Sequence, residues 1–154
     1  MQQRIQRFGR ILKLRENYRQ EEQIILAEER QEEAELLNKI DFLSKEKSRA
    51  VDAFRGSEPE KTVSLQEMWL QRQVIDVIEK RINSGKENLY EVRRRIVGTE
   101  ERLLERHRDV RVMETYVDNL RVDASKESDN AEQIELDDIG VTRYGRTLIG
   151  AQRL

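Results

Sequence analysis

The sequence has no cysteine, one proline, one histidine and only 5% aromatic residues. Without cysteine there are no disulfides, no thiol nucleophile and no thiolate ligand, which suits a reducing compartment. One histidine, His107, leaves too few ligands for a zinc-type site, and no metal or other cofactor is expected. No apolar run approaches the ~18 residues of a membrane span. Met1-Gln2-Gln3-Arg4 is followed by no apolar stretch, so no secretory signal is expected. Neither G-x-x-x-x-G-K-S/T nor G-x-G-x-x-G occurs, which removes the usual phosphate-cradling loops; Gly85-Lys86 lacks the upstream glycine. A net charge of −2 disfavours a nucleic-acid binder, which needs a basic surface to release counterions.

What remains is charge. Charged residues make up 39% and apolar residues 36%, with Glu, Arg, Leu, Gln, Lys, Ile and Val prominent. That composition suits long helices in a coiled coil, where each residue buries little surface. The length suits one domain, 1–154. From about residue 4 to 55, apolar residues such as Ile5, Phe8, Ile11, Leu12, Leu26, Leu36, Leu37, Ile40, Leu43 and Phe54 recur at helical spacing. The stripe weakens between residues 19 and 35, where glutamates dominate. Gly56-Ser57-Glu58-Pro59 supplies breaker and capping residues, so a hinge is expected at 56–59. A second helix is expected from about 60 to 140. Its every-seventh-residue series Met68, Ile75, Ile82, Leu89, Ile96, Leu103, Val110, Val117, Ala124, Ala131 is apolar throughout. The companion series Gln71, Ile78, Gly85, Val92, Thr99, Arg106, Met113, Leu120, Glu127, Ile134 is mixed. This is a heptad pattern with one strong and one imperfect seam position, and it predicts a left-handed supercoil.

The expected fold is all-α: two long helices in an antiparallel coiled-coil hairpin, the second longer and overhanging. The helices would span roughly 75 and 120 Å. Counted from the hinge, the first covers the second to about residue 112. Met113, Val117, Leu120, Ala124, Ala131 and Ile134 would then form a free apolar stripe, which marks a binding surface. Gly140, Gly145 and Gly150 predict a frayed tail over 141–154. The basic turns at residues 1–19 and the acidic stretch Glu127–Asp138 are expected at the same end.

Several residues invite a chemical role and have plainer readings. His107 falls on an outer heptad position, as a solvated surface histidine would. Glutamates 28–35 read as solvated helix surface. Arg93-Arg94-Arg95 with Arg102, Arg106, Arg108 and Arg111 interleaves with Glu91, Glu100, Glu101 and Glu105, which suggests pairing within the helix, the alternative being a basic patch for nucleic acid or an acidic protein face. Trp69 is explained by packing on the first helix, or as an exposed anchor for a partner. Gly85 in the seam suggests close approach of a bulky residue. Two helices make no water-excluding pocket in which carboxylates could be tuned for catalysis, so no catalytic residues, no enzyme activity and no small-molecule substrate are expected.

The chain resembles the FliJ family, small coiled-coil proteins of the bacterial flagellar type III export apparatus. The resemblance lies in the basic start Arg7-Phe8-Gly9-Arg10-Ile11-Leu12-Lys13-Leu14-Arg15, the hinge near one third of the length, and the longer second helix. It also lies in the ending Glu132-Gln133-Ile134-Glu135-Leu136-Asp137-Asp138-Ile139-Gly140-Val141-Thr142-Arg143. The resemblance implies a stalk whose joined ends enter and promote the hexameric export ATPase, and which contacts the export gate and export chaperones. It would lie in the cytoplasm, reaching the inner membrane only through that apparatus. The implied ATPase-facing end comprises Phe8, Ile11, Leu12, Leu14, Arg15, Asp137, Asp138 and Arg143; the implied gate-facing surface comprises Val74, Ile78 and Arg81. Two alternatives share the periodicity: a homodimeric spacer or tether whose chain does not fold back, and the equivalent stalk of an injectisome.

Overall fold

A computed structural model describes residues 1–56 and 64–152, with side chains described up to residue 147. It contains two helices, α1 (Gln2–Gly56) and α2 (Leu65–Gln152), which pack against each other. The expected hinge residues Ser57, Glu58 and Pro59 and the expected helix start at Glu60 lie outside the described residues. α2 instead opens at a cap that the sequence carries in plain form. Ser64 Oγ accepts a hydrogen bond from the Glu67 backbone N–H at 3.2 Å. Ser64-Leu65-Gln66-Glu67 has the S-x-x-E spacing that satisfies an orphan donor of the first turn and sets an acid near the positive helix end.

The chain divides into two compact units, Gln20–Glu105 and Met1–Arg19 with Arg106–Leu154. In the Gln20–Glu105 unit the helices run antiparallel. Glu22 meets Arg102 at 3.5 Å, Glu33 meets Arg93 at 3.3 Å and Lys47 meets Glu79 at 3.3 Å. Two apolar clusters hold this unit. Leu26, Val92 and Ile96 form one, with Leu36 and Leu103 packed against it; Leu43, Ile78 and Ile82 form the other, with Ala50. Gly85 is buried between them, and a Cβ built there would lie 3.1 Å from Ile40 Cγ1. Glycine in mid-helix costs about 1 kcal/mol against alanine; here it makes room for Ile40.

The other unit is also antiparallel. Arg4 Nη2 donates to Tyr116 Oη at 2.8 Å, and Arg15 Nη1 donates to the Asp109 carbonyl oxygen at 3.3 Å. Val110, Met113, Val117 and Leu120 are buried, with Ile5, Phe8, Ile11 and Leu12 half-buried. These cross-helix contacts overturn the alternative in which the chain does not fold back.

The overhang is displaced from its expected start. Met113, Val117 and Leu120 are not a free stripe, because Arg4 lies level with Tyr116 and not with residue 112. α2 begins only at Leu65, so each stretch of α1 meets residues further along it. The free part starts beyond Ala124: residues 125–144 are all exposed. The expected end at Gly140 is also corrected. α2 continues to Gln152, and Gly140 and Gly145 have ordinary helical backbone with no positive φ. Each glycine weakens the helix without ending it, and the intervening turns keep their i−4 bonds. Thr142 Oγ1 returns a hydrogen bond to the Asp138 carbonyl at 2.8 Å, and Thr147 Oγ1 to that of Arg143 at 3.0 Å.

Two expectations about charge fail for one reason. The glutamates of α1 and the arginines of α2 are partners across the helices. Besides the pairs above, Arg95 meets Glu32 at 3.0 Å, and in the reverse sense Arg30 of α1 meets Glu100 of α2 at 3.3 Å. Glu29 is buried rather than solvated, and Glu22 and Glu33 are half-buried. With Leu26, these three glutamates share the three-and-four spacing of α1's inner face. Read as apolar residues alone, that face lapses between residues 19 and 35; it continues there with charged residues. Pairs this exposed each contribute little to stability.

Candidate functional site

Three surfaces are built from the residues singled out above. The first is the N-terminal part of α1. Phe8 sits edge-on to the Tyr116 ring, with centroids 4.8 Å apart and planes at 74°. The Arg7 guanidinium lies 5.3 Å from the Phe8 centroid. Ile11, Leu12 and Arg15 are half-buried against α2, while Leu14 is exposed. The side presented outward therefore consists of Leu14 with Arg7, Arg10 and Lys13.

The second surface is the projecting part of α2. Ile134, Leu136, Ile139, Val141 and Tyr144 are exposed here, among Asp137, Asp138, Arg143 and Arg146. An open groove runs along one face, lined by Glu135, Asp138, Ile139, Thr142, Arg143 and Arg146. Phe8–Arg15 and Asp137, Asp138, Arg143 belong to one unit. They are not brought together: Asp137 lies about 30 Å along α2 from Tyr116, whose ring packs on Phe8.

The third surface is the start of α2, in the Gln20–Glu105 unit. Val74 and Arg81 are exposed. Ile78 is not available with them; it occupies the imperfect seam position and is buried against Leu43 and Ile82. Trp69 is 61% exposed, which overturns its expected packing on α1. Leu65, Leu70 and Val77 are exposed nearby. The sequence reading missed Leu70 and Val77 as surface residues. Their signal was the spacing Leu70, Val74, Val77, Arg81, one face of a helix turned away from the seam.

His107 is exposed, with Nδ1 3.4 Å from Arg19 Nη1. Among the described residues no group of three or more His, Cys, Asp or Glu is placed to hold a metal ion. Among the same residues no helix is long and apolar enough to cross a membrane.

Long paired helices with apolar and charged side chains turned outward define an antiparallel coiled-coil protein. The chain belongs to the FliJ family: the family described as flagellar FliJ protein matches residues 3–148. Membership implies a component of the flagellar export apparatus. No curated protein and no solved structure matches the chain.

Proposed function

We propose that this chain is a non-enzymatic central stalk of the flagellar type III export apparatus. It binds the hexameric export ATPase through the projecting part of α2 together with the N-terminal part of α1, and promotes that enzyme's assembly and turnover. The observation that carries this reading is the run of α2 beyond Ala124, exposed throughout to residue 144 and furnished with Ile134, Leu136, Ile139, Val141 and Tyr144 among charges of both signs. A helix with no partner among the described residues and outward apolar side chains has the form of an insertion element. Leu14, Asp137, Asp138 and Arg143 are the exposed members of the ATPase-facing set; Phe8, Ile11, Leu12 and Arg15 hold α1 on α2. The export gate and export chaperones take the exposed face at the start of α2, with Trp69, Leu70, Val74, Val77 and Arg81. The protein acts in the cytoplasm and reaches the inner membrane through these partners. The family match is to the flagellar protein, which favours this system over an injectisome.

ATP hydrolysis by the cognate export ATPase, measured with and without this protein, tests the reading. Hydrolysis is expected to rise severalfold. A chain ending at Ala124 keeps the paired helices and is expected to lose the stimulation. No stimulation by the full chain, with no co-elution with the hexamer, sinks the proposal.

A further inference from the structure

The projecting part of α2 carries a second pattern, independent of the export reading. At 100° per residue, Glu132, Glu135, Leu136, Ile139, Thr142, Arg143 and Arg146 fall on one face of the helix. The described residues of this face are all exposed, and the open groove along α2 covers its central and C-terminal part. Acids stand on the N-terminal side of Ile139 and arginines on the C-terminal side, at matching separations.

These charges have no oppositely charged neighbour at helical spacing. Ion pairs along a helix need partners three or four residues apart. Arg143 has Gly140 and Ile139 at those positions toward the N-terminus, and Arg146 has Arg143 and Thr142. Glu132 is followed at those positions by Glu135 and Leu136, and Glu135 by Asp138 and Ile139. α1 offers nothing here, because its first residues lie level with the turns of α2 around Tyr116.

The arrangement is self-complementary. We infer that this face of α2 pairs with the same face of a second copy, antiparallel and centred on Ile139. In that pairing Glu132 of one copy stands beside Arg146 of the other, Glu135 beside Arg143, and the two Ile139 side chains meet on the two-fold axis. Every contact is made twice, as an isologous interface requires. A parallel pairing sets glutamate beside glutamate and arginine beside arginine, which repels. The pattern therefore selects both the occupant and its direction. The face is short, well below the surface of a standard interface. The expected dissociation constant is on the order of 100 μM at low salt, weakening roughly tenfold as salt rises from about 0.03 to 0.3 M.

Sedimentation equilibrium of the full chain tests this, with helicity checked by circular dichroism. The wild-type protein is expected to dimerise at low salt. E132R/E135R and R143E/R146E are each expected to be monomeric alone and to dimerise when mixed in equal amounts. The chain carrying all four exchanges is expected to recover self-association, and Ile139→Asp to lose it. A wild-type chain monomeric at about 1 mM and low salt overturns the inference. So does a dimer indifferent to either charge reversal, or a mixture of the two reversed chains that stays monomeric. None of these readouts involves the ATPase, so they stand or fall separately from the stalk reading.

Discussion

Thr99→Val is expected to destabilise the Gln20–Glu105 unit by about 2–3 kcal/mol, and Glu29→Leu added to it to reverse the loss. Thr99 is fully buried in the seam, where its hydroxyl donates to Glu29 Oε1 at 2.8 Å and accepts from Arg102 Nη2 at 3.0 Å. Glu29 is itself buried, and its Oε2 has no hydrogen-bond partner among the described residues. The carboxylate thus depends on one hydroxyl for direct satisfaction. Valine keeps the shape of threonine and removes that donor, leaving the buried Glu29 carboxyl without its hydrogen bond. Replacing both groups by apolar ones removes the need for the bond, and exchanges of this kind are often neutral or stabilising by about 1–4 kcal/mol. Thermal melts of the four proteins of the cycle provide the measurement. Thr99→Val should lower the midpoint by about 5–10 °C, and the double variant should match or exceed the wild type. Equal losses in Thr99→Val and the double variant would contradict this account of the seam. A polar layer at one seam position also fixes register, so the more stable double variant is expected to pair its helices less uniquely.

Val92→Asp is expected to cost more, about 3–5 kcal/mol. Val92 is 1% exposed and packs in the cluster of Leu26 and Ile96, with Leu36 and Leu103 alongside. An aspartate there meets the apolar side chains of that cluster. Val97→Asp, on the same helix, is the internal control. Val97 is 55% exposed, so the same substitution should change stability by no more than about 0.5 kcal/mol beyond its effect on helix propensity. Urea unfolding followed by circular dichroism measures both. A similar cost at the two positions would mean that the seam does not bury Val92 as described.

The apolar heptad of α2 made the hairpin legible before any coordinates. Ile82, Leu89, Ile96, Val110 and Val117 are buried, as is the mixed companion series at Ile78, Gly85, Val92 and Thr99. The inner face of α1 was harder to read. A hydrophobic periodicity registers Leu26 and Leu36 but passes over Glu22, Glu29 and Glu33, which share their face. The arginines that meet Glu22, Glu32 and Glu33 lie some 60–80 residues away in sequence, and neighbours within α2 offer a nearer explanation. The extent of the overhang depended on where α2 starts. Gly56 and Pro59 drew the boundary early, while the quieter Ser64–Glu67 cap marked the start that the structure shows. Glycines at 140 and 145 predict an end on their intrinsic cost alone, and the residues around them carry the helix through. Exposure at Trp69, Leu70 and Val77 followed from which face of α2 meets α1, and that is settled by pairing rather than by composition.

The most direct test of the stalk reading is site-specific photocrosslinking to the assembled export ATPase. A photoreactive residue is placed in turn at Leu136, Tyr144 and Val97. Adducts with the ATPase from Leu136 and Tyr144, and none from Val97, are the predicted result. An ATPase that is stimulated yet crosslinks from Val97 and from neither Leu136 nor Tyr144 would contradict it, and would place the working surface away from the projecting end of α2.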